Sequence, residues 1–203
     1  MHKIILIGSG GHARSCIDII ESEGQYQIAG LIEKDEKSKN SNLGYPIIGI
    51  DKDLQVLRER YKNALITVGQ IKSSIIRVNI YQVLKELCFA LPVIVSSMAY
   101  VSKHAQIGEG TIIMHGAIVH ANAKIGKNCI INDRSLIEHD AIIGNHCHIA
   151  TGAVINGEVN VGDETFIGSG AITKQGISIG KNCIISAGIF LKNNIDSNKI
   201  IRS

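Results

Sequence analysis

The chain has 203 residues, of which 21 are basic and 18 acidic, and 45% of the residues are hydrophobic. This length allows one or two domains with a sizeable core. The net charge of +3 is spread along the chain without a basic run, which argues against a nucleic-acid partner. A signal-peptide pattern and an apolar run long enough to cross a membrane are both absent, so we expect a cytoplasmic protein without a membrane partner.

The first part of the chain alternates short apolar segments with amphipathic ones. Apolar runs bounded by turn residues predict four strands, at 3–6, 27–32, 45–48 and 64–68. Apolar residues at helical spacing predict three helices, at 13–24, 51–61 and 73–87. Such alternation is typical of a small Rossmann-like parallel sheet, which binds its ligand at the carboxyl ends of its strands. We assign residues 1–92 to this α/β domain.

The turn after the first predicted strand, Gly8-Ser9-Gly10-Gly11-His12-Ala13, matches the pattern G-x-G-x-x-A. Its glycines let the backbone approach a phosphate, and the helix that follows offers free N–H groups. Glu33 occupies the place of a ribose-binding acid. NAD fits poorly, because the second mononucleotide-binding half of a dinucleotide fold is missing. A nucleotide sugar or similar phosphate ligand is favoured, and a purely structural tight turn is the alternative.

A six-residue repeat occupies the rest of the chain. Every sixth position from Val95 to Leu191 is aliphatic except Thr173. Five glycines recur at a spacing of 18 residues: Gly108, Gly126, Gly144, Gly162 and Gly180. A period of six inside a period of 18 predicts a hexapeptide β-helix with three short strands to each coil. We assign residues 93–203 to this second domain.

A second column of the repeat is small. Four residues after each aliphatic position, from Thr111 to Ala171, the side chain suits a corner where space is short. Three cysteines, Cys129, Cys147 and Cys183, fall in register with Thr111, so we interpret them as small interior side chains. Stacked coils of this kind bury one continuous core.

Histidines mark the predicted chemistry, because a hydrophobic stack has no need of them. His139 follows an inward Ile137 by two residues, so it lies near a corner and points outward. A neutral imidazole there can take the proton of a nucleophile during acyl transfer, and Asp140 or Glu138 can orient it. His148 precedes an inward isoleucine and can face a groove.

Other interpretations of the histidines remain open. Each one alone is more often a solvated surface residue. His146 and His148 would share one face of a strand and could bind a metal, but no further ligands are evident. Three more, His104, His115 and His120, are exposed or line an oligomer axis.

Together these motifs resemble a known family over essentially the whole chain. They are the Gly8–His12 turn, the 44–49 strand, Gly69, the tripeptide Ile137-Glu138-His139 and the 162–169 segment. The family is the two-domain hexapeptide-repeat sugar acetyltransferases, typified by the sialic acid O-acetyltransferase NeuD and the UDP-4-amino-sugar N-acetyltransferase PglD. The resemblance implies a left-handed parallel β-helix, acetyl-CoA as cosubstrate, no metal, and homotrimers whose active sites lie between adjacent prisms.

The resemblance also implies roles for individual residues. His139 matches the catalytic base, Asp140 the acid that tunes it, with Glu138 beside them, and His148 a contact to acetyl-CoA near the thioester. Positions along the pantetheine groove are matched by Gly168, Ser169, Ser186 and Ala187. Contacts to the nucleotide sugar are matched by Gly10, Gly11, His12 and Gly69. Glu33-Lys34 stands where many relatives carry an acidic pair, so the uracil or ribose contact departs from the family pattern.

We therefore expect acetyl transfer to the C4 amine of a UDP-4-amino-4,6-dideoxy sugar, for bacterial surface glycan biosynthesis. The alternative is O-acetylation of sialic acid or a related nonulosonate, which would use the same base and thioester. A non-catalytic nucleotide-binding scaffold is a third hypothesis.

Overall fold

The computed structural model of the protein describes residues 1–35 and 41–202. The N-terminal part is a four-stranded parallel sheet of order β3-β2-β1-β4. Its strands are β1 (His2–Ile7), β2 (Tyr26–Glu33), β3 (Ile47–Ile50) and β4 (Asn63–Ile66). The helices are α1 (Gly11–Glu23), α2 (Leu54–Arg60) and α3 (Ile75–Glu86), with a 3₁₀ turn at Asp51–Asp53. The predicted parallel α/β sheet is confirmed.

Several predicted boundaries shift by one or two residues, and the shifts of the third strand and of the second helix have local causes. The third strand begins two residues later than the pattern indicates, because Asn42 and Tyr45 bond to each other across a tight turn. The helix predicted over 51–61 opens as the 3₁₀ turn and becomes α-helical only at Leu54. Neither change moves the carboxyl edge of the sheet, where the glycine turn lies.

The C-terminal part is a left-handed parallel β-helix of two-residue strands. Its strands are β5 (Ile94–Val95), β6 (Tyr100–Val101), β7 (Gln106–Ile107), β8 (Ile112–Ile113), β9 (Ile118–Val119), β10 (Lys124–Ile125), β11 (Ile130–Ile131), β12 (Leu136–Ile137), β13 (Ile142–Ile143), β14 (His148–Ile149), β15 (Val154–Ile155), β16 (Asn160–Val161), β17 (Phe166–Ile167), β18 (Ile172–Thr173), β19 (Ser178–Ile179), β20 (Ile184–Ile185), β21 (Phe190–Leu191) and β22 (Ile200–Ile201). The predicted boundary between residues 92 and 93 falls in the connection from α3 to β5.

The strands form three flat faces. The docking face contains β5, β8, β11, β14, β17, β20 and β22. The apolar face contains β6, β9, β12, β15, β18 and β21, and the polar face contains β7, β10, β13, β16 and β19. We call the turn between docking and apolar faces the first corner, the turn between apolar and polar faces the second corner, and the turn that returns to the docking face the third corner.

The interior matches both predicted columns. Aliphatic side chains from Ile113 to Leu191 are at most 4% exposed, and the small residues from Thr111 to Ala171 are fully buried. Thr173, the exception in the aliphatic column, is buried as well, and its hydroxyl accepts a hydrogen bond from the Asn156 N–H at 2.9 Å. The thiol of Cys129 donates to the carbonyl of Gly144 at 3.1 Å. The prism core therefore satisfies the few polar atoms that it holds.

The glycine period has a steric cause. A Cβ added to Gly108 would lie 2.6 Å from the carbonyl carbon of Gly126 in the next coil, and Gly126 meets Gly144 in the same way at 2.7 Å. Consecutive coils approach too closely at the third corner for any side chain. The spacing of 18 residues is therefore the length of one coil.

The α/β domain rests on the docking face. Outward side chains of the first coils, Ile94, Ile112 and Ile130, are fully buried against α1 and the sheet. On the other side, α3 runs along the third corner, where the Tyr81 hydroxyl donates to Glu109 and the Ser74 hydroxyl to Glu164, each at 2.6 Å. These contacts hold the carboxyl edge of the sheet against the middle coils.

Among the described residues, no helix is both long enough and apolar enough to cross a membrane.

Candidate active site

A cavity of about 940 Å³ opens where the sheet meets the β-helix. Because β1 and β4 are neighbours, the turn after β1 faces the loop after β4 across it. The docking face and the first corner close the far side. The lining residues are Gly8, Ser9, Gly10, Gly11, His12, Ser15, Glu33, Thr67, Val68, Gly69, Gln70, Ile71, Asn132, Asp133, His148 and Thr151. Five of the six predicted substrate residues are in this cavity wall.

The glycine turn presents a free helix N-terminus. Gly10 caps α1 without a side-chain hydrogen bond, and the first turn of the helix holds no acidic residue. A Cβ built on Gly10 or Gly11 would have no heavy atom within 4 Å, so the space above the turn is open. Unpaired N–H groups and the positive end of the helix dipole suit an anion such as a phosphate.

Glu33 and Lys34 have separate positions. The Glu33 carboxylate accepts hydrogen bonds from the backbone N–H and the hydroxyl of Ser9, so it braces the glycine turn. Lys34 lines a smaller cavity of about 320 Å³, which lies on the other side of Gly8. The two cavities share Gly8, Glu33 and Val68 in their walls.

Two imidazoles, the buried His148 and the partly buried His12, face the main cavity. His148 is 8% exposed, and its Nδ1 donates to the carbonyl of Gln70 at 2.5 Å. Its Nε2 is therefore the acceptor, and it accepts from the Asn132 side-chain amide at 3.3 Å. Burial lowers the pKa of His148 to about 4, and burial also lowers the pKa of His12 to about 3. Both rings are therefore neutral at physiological pH.

His139 occupies a different kind of place. It lies at the second corner with its side chain 53% exposed, and its Nδ1 donates to Asp140 at 2.8 Å. This hydrogen bond raises the pKa of His139, and the bonds from Asn122 and His139 lower the pKa of Asp140. The ring lies over Gly157, where an added Cβ would approach Nε2 to 2.9 Å. The imidazole is thus fixed in the tautomer that leaves Nε2 free to accept a proton.

Of the two carboxylates predicted to orient this imidazole, only Asp140 bonds to the ring. Asp140 has a φ of 61°, and at the corner this left-handed backbone turns the carboxylate back toward the preceding residue. The Glu138 carboxylate instead accepts a weak bond, at 3.4 Å, from the backbone N–H of His139. Glu138 acts on the ring through its charge alone.

Within one chain, His139 and the main cavity lie on opposite edges of the apolar face. Outward side chains along this face recur every 18 residues: Tyr100, Ile118, Leu136, Val154, Ile172 and Phe190. The polar face carries Gln106, Lys124, Ile142, Asn160 and Ser178 at the equivalent positions. Sequence reasoning missed this column, although the same period of 18 would have revealed it.

The predicted pantetheine positions lie at the first corner. Ser169 stacks on Thr151, which lines the main cavity, through the bond from Gly170 N–H to the Thr151 carbonyl at 2.9 Å. A Cβ on Gly168 would lie 2.5 Å from the backbone N of Ala187. Gly168, Ser169, Ser186 and Ala187 thus continue the cavity wall along the prism axis. His148, predicted to contact acetyl-CoA near the thioester, lies in the cavity with the glycine turn.

The other histidines have structural partners. His146 lies at the third corner rather than in a strand, with its ring edge-on to Tyr81 at 5.2 Å between centroids, so it does not share a face with His148. Within the described part of the chain, no group of three His, Cys, Asp or Glu side chains could hold a metal ion. His115 was expected to be exposed or axial, but its Nε2 bridges the domains by bonding to Asp18 of α1 at 2.9 Å, while its Nδ1 bonds to Ser96 of the β-helix at 2.7 Å.

Several lining residues were not found by sequence reasoning. Thr67, Gln70, Asn132, Asp133 and Thr151 are ordinary polar residues, and no motif marks them. They reach the site because the loop after β4 and the first corner of the middle coils meet there. The polar residues at the first corner, Asn132, Asp133 and Thr151, were a weak signal in the sequence that this corner lines a site.

Comparison with known families matches both parts of the chain. Residues 3–84 match the PglD N-terminal domain. Residues 104–137 and 122–157 match the bacterial transferase hexapeptide (six repeats), and residues 158–193 match the hexapeptide repeat of succinyl-transferase. A search of curated protein sequences found no significant match.

Solved structures share the two-domain architecture. A variant of perosamine N-acetyltransferase from Caulobacter crescentus, in complex with CoA and GDP-perosamine, is 27% identical, with a TM-score of 0.92 over 98% of this chain and 93% of that one. The acetyltransferase domain of PglB from Neisseria gonorrhoeae, in complex with acetyl coenzyme A, is 29% identical, with a TM-score of 0.88 over 96% and 93%. WeeI from Acinetobacter baumannii AYE, 22% identical, shares the fold with a TM-score of 0.88 over 100% and 97%.

Proposed function

Because the chain belongs to the two-domain hexapeptide-repeat sugar acetyltransferases, we propose that it transfers the acetyl group of acetyl-CoA to the amine of a nucleotide-linked 4-amino-4,6-dideoxy sugar. The observation that carries the proposal is the cavity in which the glycine turn meets His148. The Caulobacter crescentus relative, solved with CoA and GDP-perosamine, supports a nucleotide-linked amino sugar as the acceptor.

The proposed acceptor lies across the glycine turn. Its diphosphate accepts hydrogen bonds from the free N–H groups at Gly10 and Gly11. The nucleoside extends toward the smaller cavity, where Lys34 and Glu33 are available, and the amino sugar extends toward His148. A sugar hydroxyl or amine replaces the Asn132 amide as the donor to the neutral Nε2 of His148, which adds no charge. UDP is the leading nucleotide and GDP is the second candidate.

The proposed donor lies along the first corner. Its pantetheine arm follows the column of Gly168, Ser169, Ser186 and Ala187, and its thioester reaches the mouth of the main cavity. The acetyl-CoA complex of the Neisseria gonorrhoeae domain supports this donor. Small side chains and backbone atoms dominate the column, which suits close approach of an extended chain.

The base comes from a neighbouring subunit in this proposal. His139 and the cavity lie at opposite edges of the apolar face, so a ring of three prisms, each packing this face against the next, brings the second corner of one subunit to the first corner of another. Such head-to-tail contacts close into a cyclic trimer when the rotation allows. Four side chains of the apolar face, Tyr100, Ile118, Ile172 and Phe190, are exposed in the single chain, which supports burial against another copy.

The proposed reaction uses the imidazole of His139 as the base. The neutral sugar amine attacks the thioester carbonyl, and Nε2 of His139 takes the proton that the nitrogen loses. A C–N bond forms, the C–S bond breaks, and the CoA thiolate leaves with a proton returned by the imidazolium. Asp140 stabilises that imidazolium while it exists.

Release of CoA thiol with different acceptors tests the activity. We expect turnover with a UDP- or GDP-linked 4-amino-4,6-dideoxy sugar and none with free sialic acid. Turnover with sialic acid alone would replace the proposal by O-acetylation. Absence of turnover with every acceptor would favour the scaffold hypothesis.

Mixed trimers test the shared site. His139→Asn removes the base, and Gly10→Asp blocks the anion site with a negative charge. Co-assembled subunits carrying one change each should regain roughly a quarter of the wild-type activity, because only sites between a Gly10-intact and a His139-intact subunit work. Trimers in which every subunit carries both changes should stay inactive. Absence of recovery would overturn the shared site.

The apolar face can be tested separately. Ile172→Asp should convert the assembly to monomers in sedimentation experiments, because it buries a charge in the proposed interface. Ser178→Asp, a matched change on the polar face, should leave the assembly intact. Equal behaviour of the two variants would contradict the proposed interface.

A further inference from the structure

Arg77 is a buried cation between the two domains. It lies on α3, its side chain is 1% exposed, and its guanidinium points into the junction of the sheet with the third corner. Arginine is rarely buried this fully without an anionic partner, since the loss of hydration is costly. The burial of this charge therefore needs a physical explanation.

Every hydrogen-bond acceptor of Arg77 is neutral. Nη1 donates to the carbonyls of Ile66 at 3.0 Å and Val68 at 2.6 Å, and Nη2 donates to the carbonyl and the side-chain Oδ1 of Asn128 at 3.2 and 2.6 Å. Nε, also buried, finds no acceptor among the described residues. Residues 1–35 and 41–202 supply no carboxylate within ion-pair distance of this guanidinium. The charge is therefore uncompensated within the described chain.

The guanidinium lies directly behind the wall of the main cavity. Val68, which accepts its shorter backbone hydrogen bond, lines that cavity together with the glycine turn. Among the described residues, the lining includes two carboxylates, Glu33 and Asp133, and no Lys or Arg. Within the described part of the wall, a diphosphate would meet no cationic side chain, so the positive potential there comes from the helix N-terminus and from behind the wall.

We propose that Arg77 is a positioning residue whose buried, unpaired charge is completed by the diphosphate of the substrate. This inference rests on the proposed function, because it names the partner of Arg77 as the nucleotide diphosphate. The guanidinium holds the Ile66–Val68 backbone in place and supplies a positive charge that the described residues of the cavity wall lack. It does so without touching the substrate.

The charge of Arg77 affects the pKa values of the two imidazoles in the cavity. After burial, the charge of Arg77 is the next cause that lowers the pKa of His12, and it also lowers the pKa of His148. Both rings line the cavity. An anion at the same place would be attracted by the field that disfavours imidazolium.

Calorimetric and ligand-observed NMR titrations separate the charge of Arg77 from its packing. The probes are UDP with uridine and GDP with guanosine, using whichever pair the wild-type protein binds. Arg77→Met should weaken binding of the diphosphate roughly tenfold or more, while the neutral nucleoside changes by less than about threefold. Arg77→Lys keeps the charge and should hold diphosphate affinity within about threefold of wild type.

Several results would overturn the inference. Equal losses for diphosphate and nucleoside, or a lysine variant as weak as the methionine variant, would make Arg77 a purely structural clamp. Unchanged diphosphate affinity in Arg77→Met would remove its role altogether. Wild-type protein that binds neither diphosphate would overturn the proposed function, and this inference with it. The inference fails alone when the wild-type protein binds a diphosphate and the Arg77 variants show no charge-dependent loss.

A second variant answers the case in which Arg77→Met fails to fold. Asn128→Asp has nearly the same size and gives the guanidinium a carboxylate partner at the position of the present Oδ1. We expect diphosphate affinity to fall several-fold while the fold is kept, because the charge of Arg77 is then neutralised. His146→Asn removes the ring bonded to Asn128 at 2.9 Å and serves as the control. Unchanged affinity in Asn128→Asp would refute the electrostatic role.

Discussion

His139 and His148 lie nine positions apart in the chain, yet they occupy opposite environments. His139 is half-exposed at a corner and bonded to a carboxylate, which raises its pKa. His148 is buried in the interdomain cavity and bonded to a carbonyl, and burial lowers its pKa to about 4. The first is suited to accept a proton, and the second to remain a neutral hydrogen-bonding group. The difference shows that environment, not residue type, assigns the role.

The largest expected effect comes from removing the imidazole of His139. His139→Asn should lower kcat by about 10² to 10⁴, because general-base catalysis of the amine is lost. Binding of both substrates, measured by calorimetry, should stay near that of wild type. His104→Asn changes another exposed histidine and is the control. Retained turnover in His139→Asn would eliminate the proposed base.

Gly10→Ala tests the interdomain cavity and leaves His139 unchanged. The backbone at Gly10 has a φ of −72° and an added Cβ meets no atom, so the fold should be unaffected. The methyl group enters the space proposed for the diphosphate, and we expect KM for the nucleotide sugar to rise about tenfold with kcat little changed.

Gly108→Ala is the contrasting variant for Gly10→Ala. Its Cβ would collide with the backbone of Gly126, so it should lower thermal stability instead. Steady-state kinetics and thermal melts on both variants would show whether the two glycines have different purposes. A stable Gly10→Ala protein with wild-type KM would argue against an anion site at the turn.

Asp140→Asn sharpens the account of the base. Asp140 raises the pKa of His139, and the proposed mechanism needs the neutral ring, so we expect kcat/KM to fall as the pH drops through that pKa. Removing the carboxylate should move the acidic limb of the profile to lower pH and reduce the maximal rate several-fold. Glu138→Gln, which lacks a bond to the ring, should move the limb less. An unshifted limb in Asp140→Asn would contradict the assignment.

The smallest expected effect concerns stability. His148 and His12 have pKa values near 4 and 3 in the folded protein, against 6.5 as the ordinary value. Only the unfolded chain takes up their protons as the pH falls below 6.5, so stability is lost in that range. Each histidine should cost about 1 kcal/mol between pH 6.5 and 5.5. Denaturant titrations of wild type and His148→Asn at both pH values check this, and equal pH dependence would contradict it.

The β-helix was predictable because its contacts repeat at a fixed spacing along the chain. Each residue meets the residue 18 positions away, as Ile130 meets His148 and His148 meets Phe166. A repeated sequence therefore specifies its own neighbours, and burial of the aliphatic and small columns follows. The outward position of His139 could be counted from the same register.

The cavity was only partly predictable. The glycine turn and Gly69 carry motif signals, but Gln70, Asn132 and Thr151 do not. Arg77 reads in sequence as one charge on an amphipathic helix. Its burial depends on how α3 lies along the third corner, which no local pattern specifies.

By itself, the amino-acid sequence determined the two architectures, the glycine turn and the outward imidazole of His139, since each depends on short-range periodicity or backbone geometry. The tertiary structure alone decided that His148 faces the glycine turn, that Arg77 is buried without a carboxylate, and that one chain keeps His139 apart from its cavity. These features arise from packing one domain on a single face of the other. The orientation of that packing is set by side chains far apart in the chain, which share no repeat.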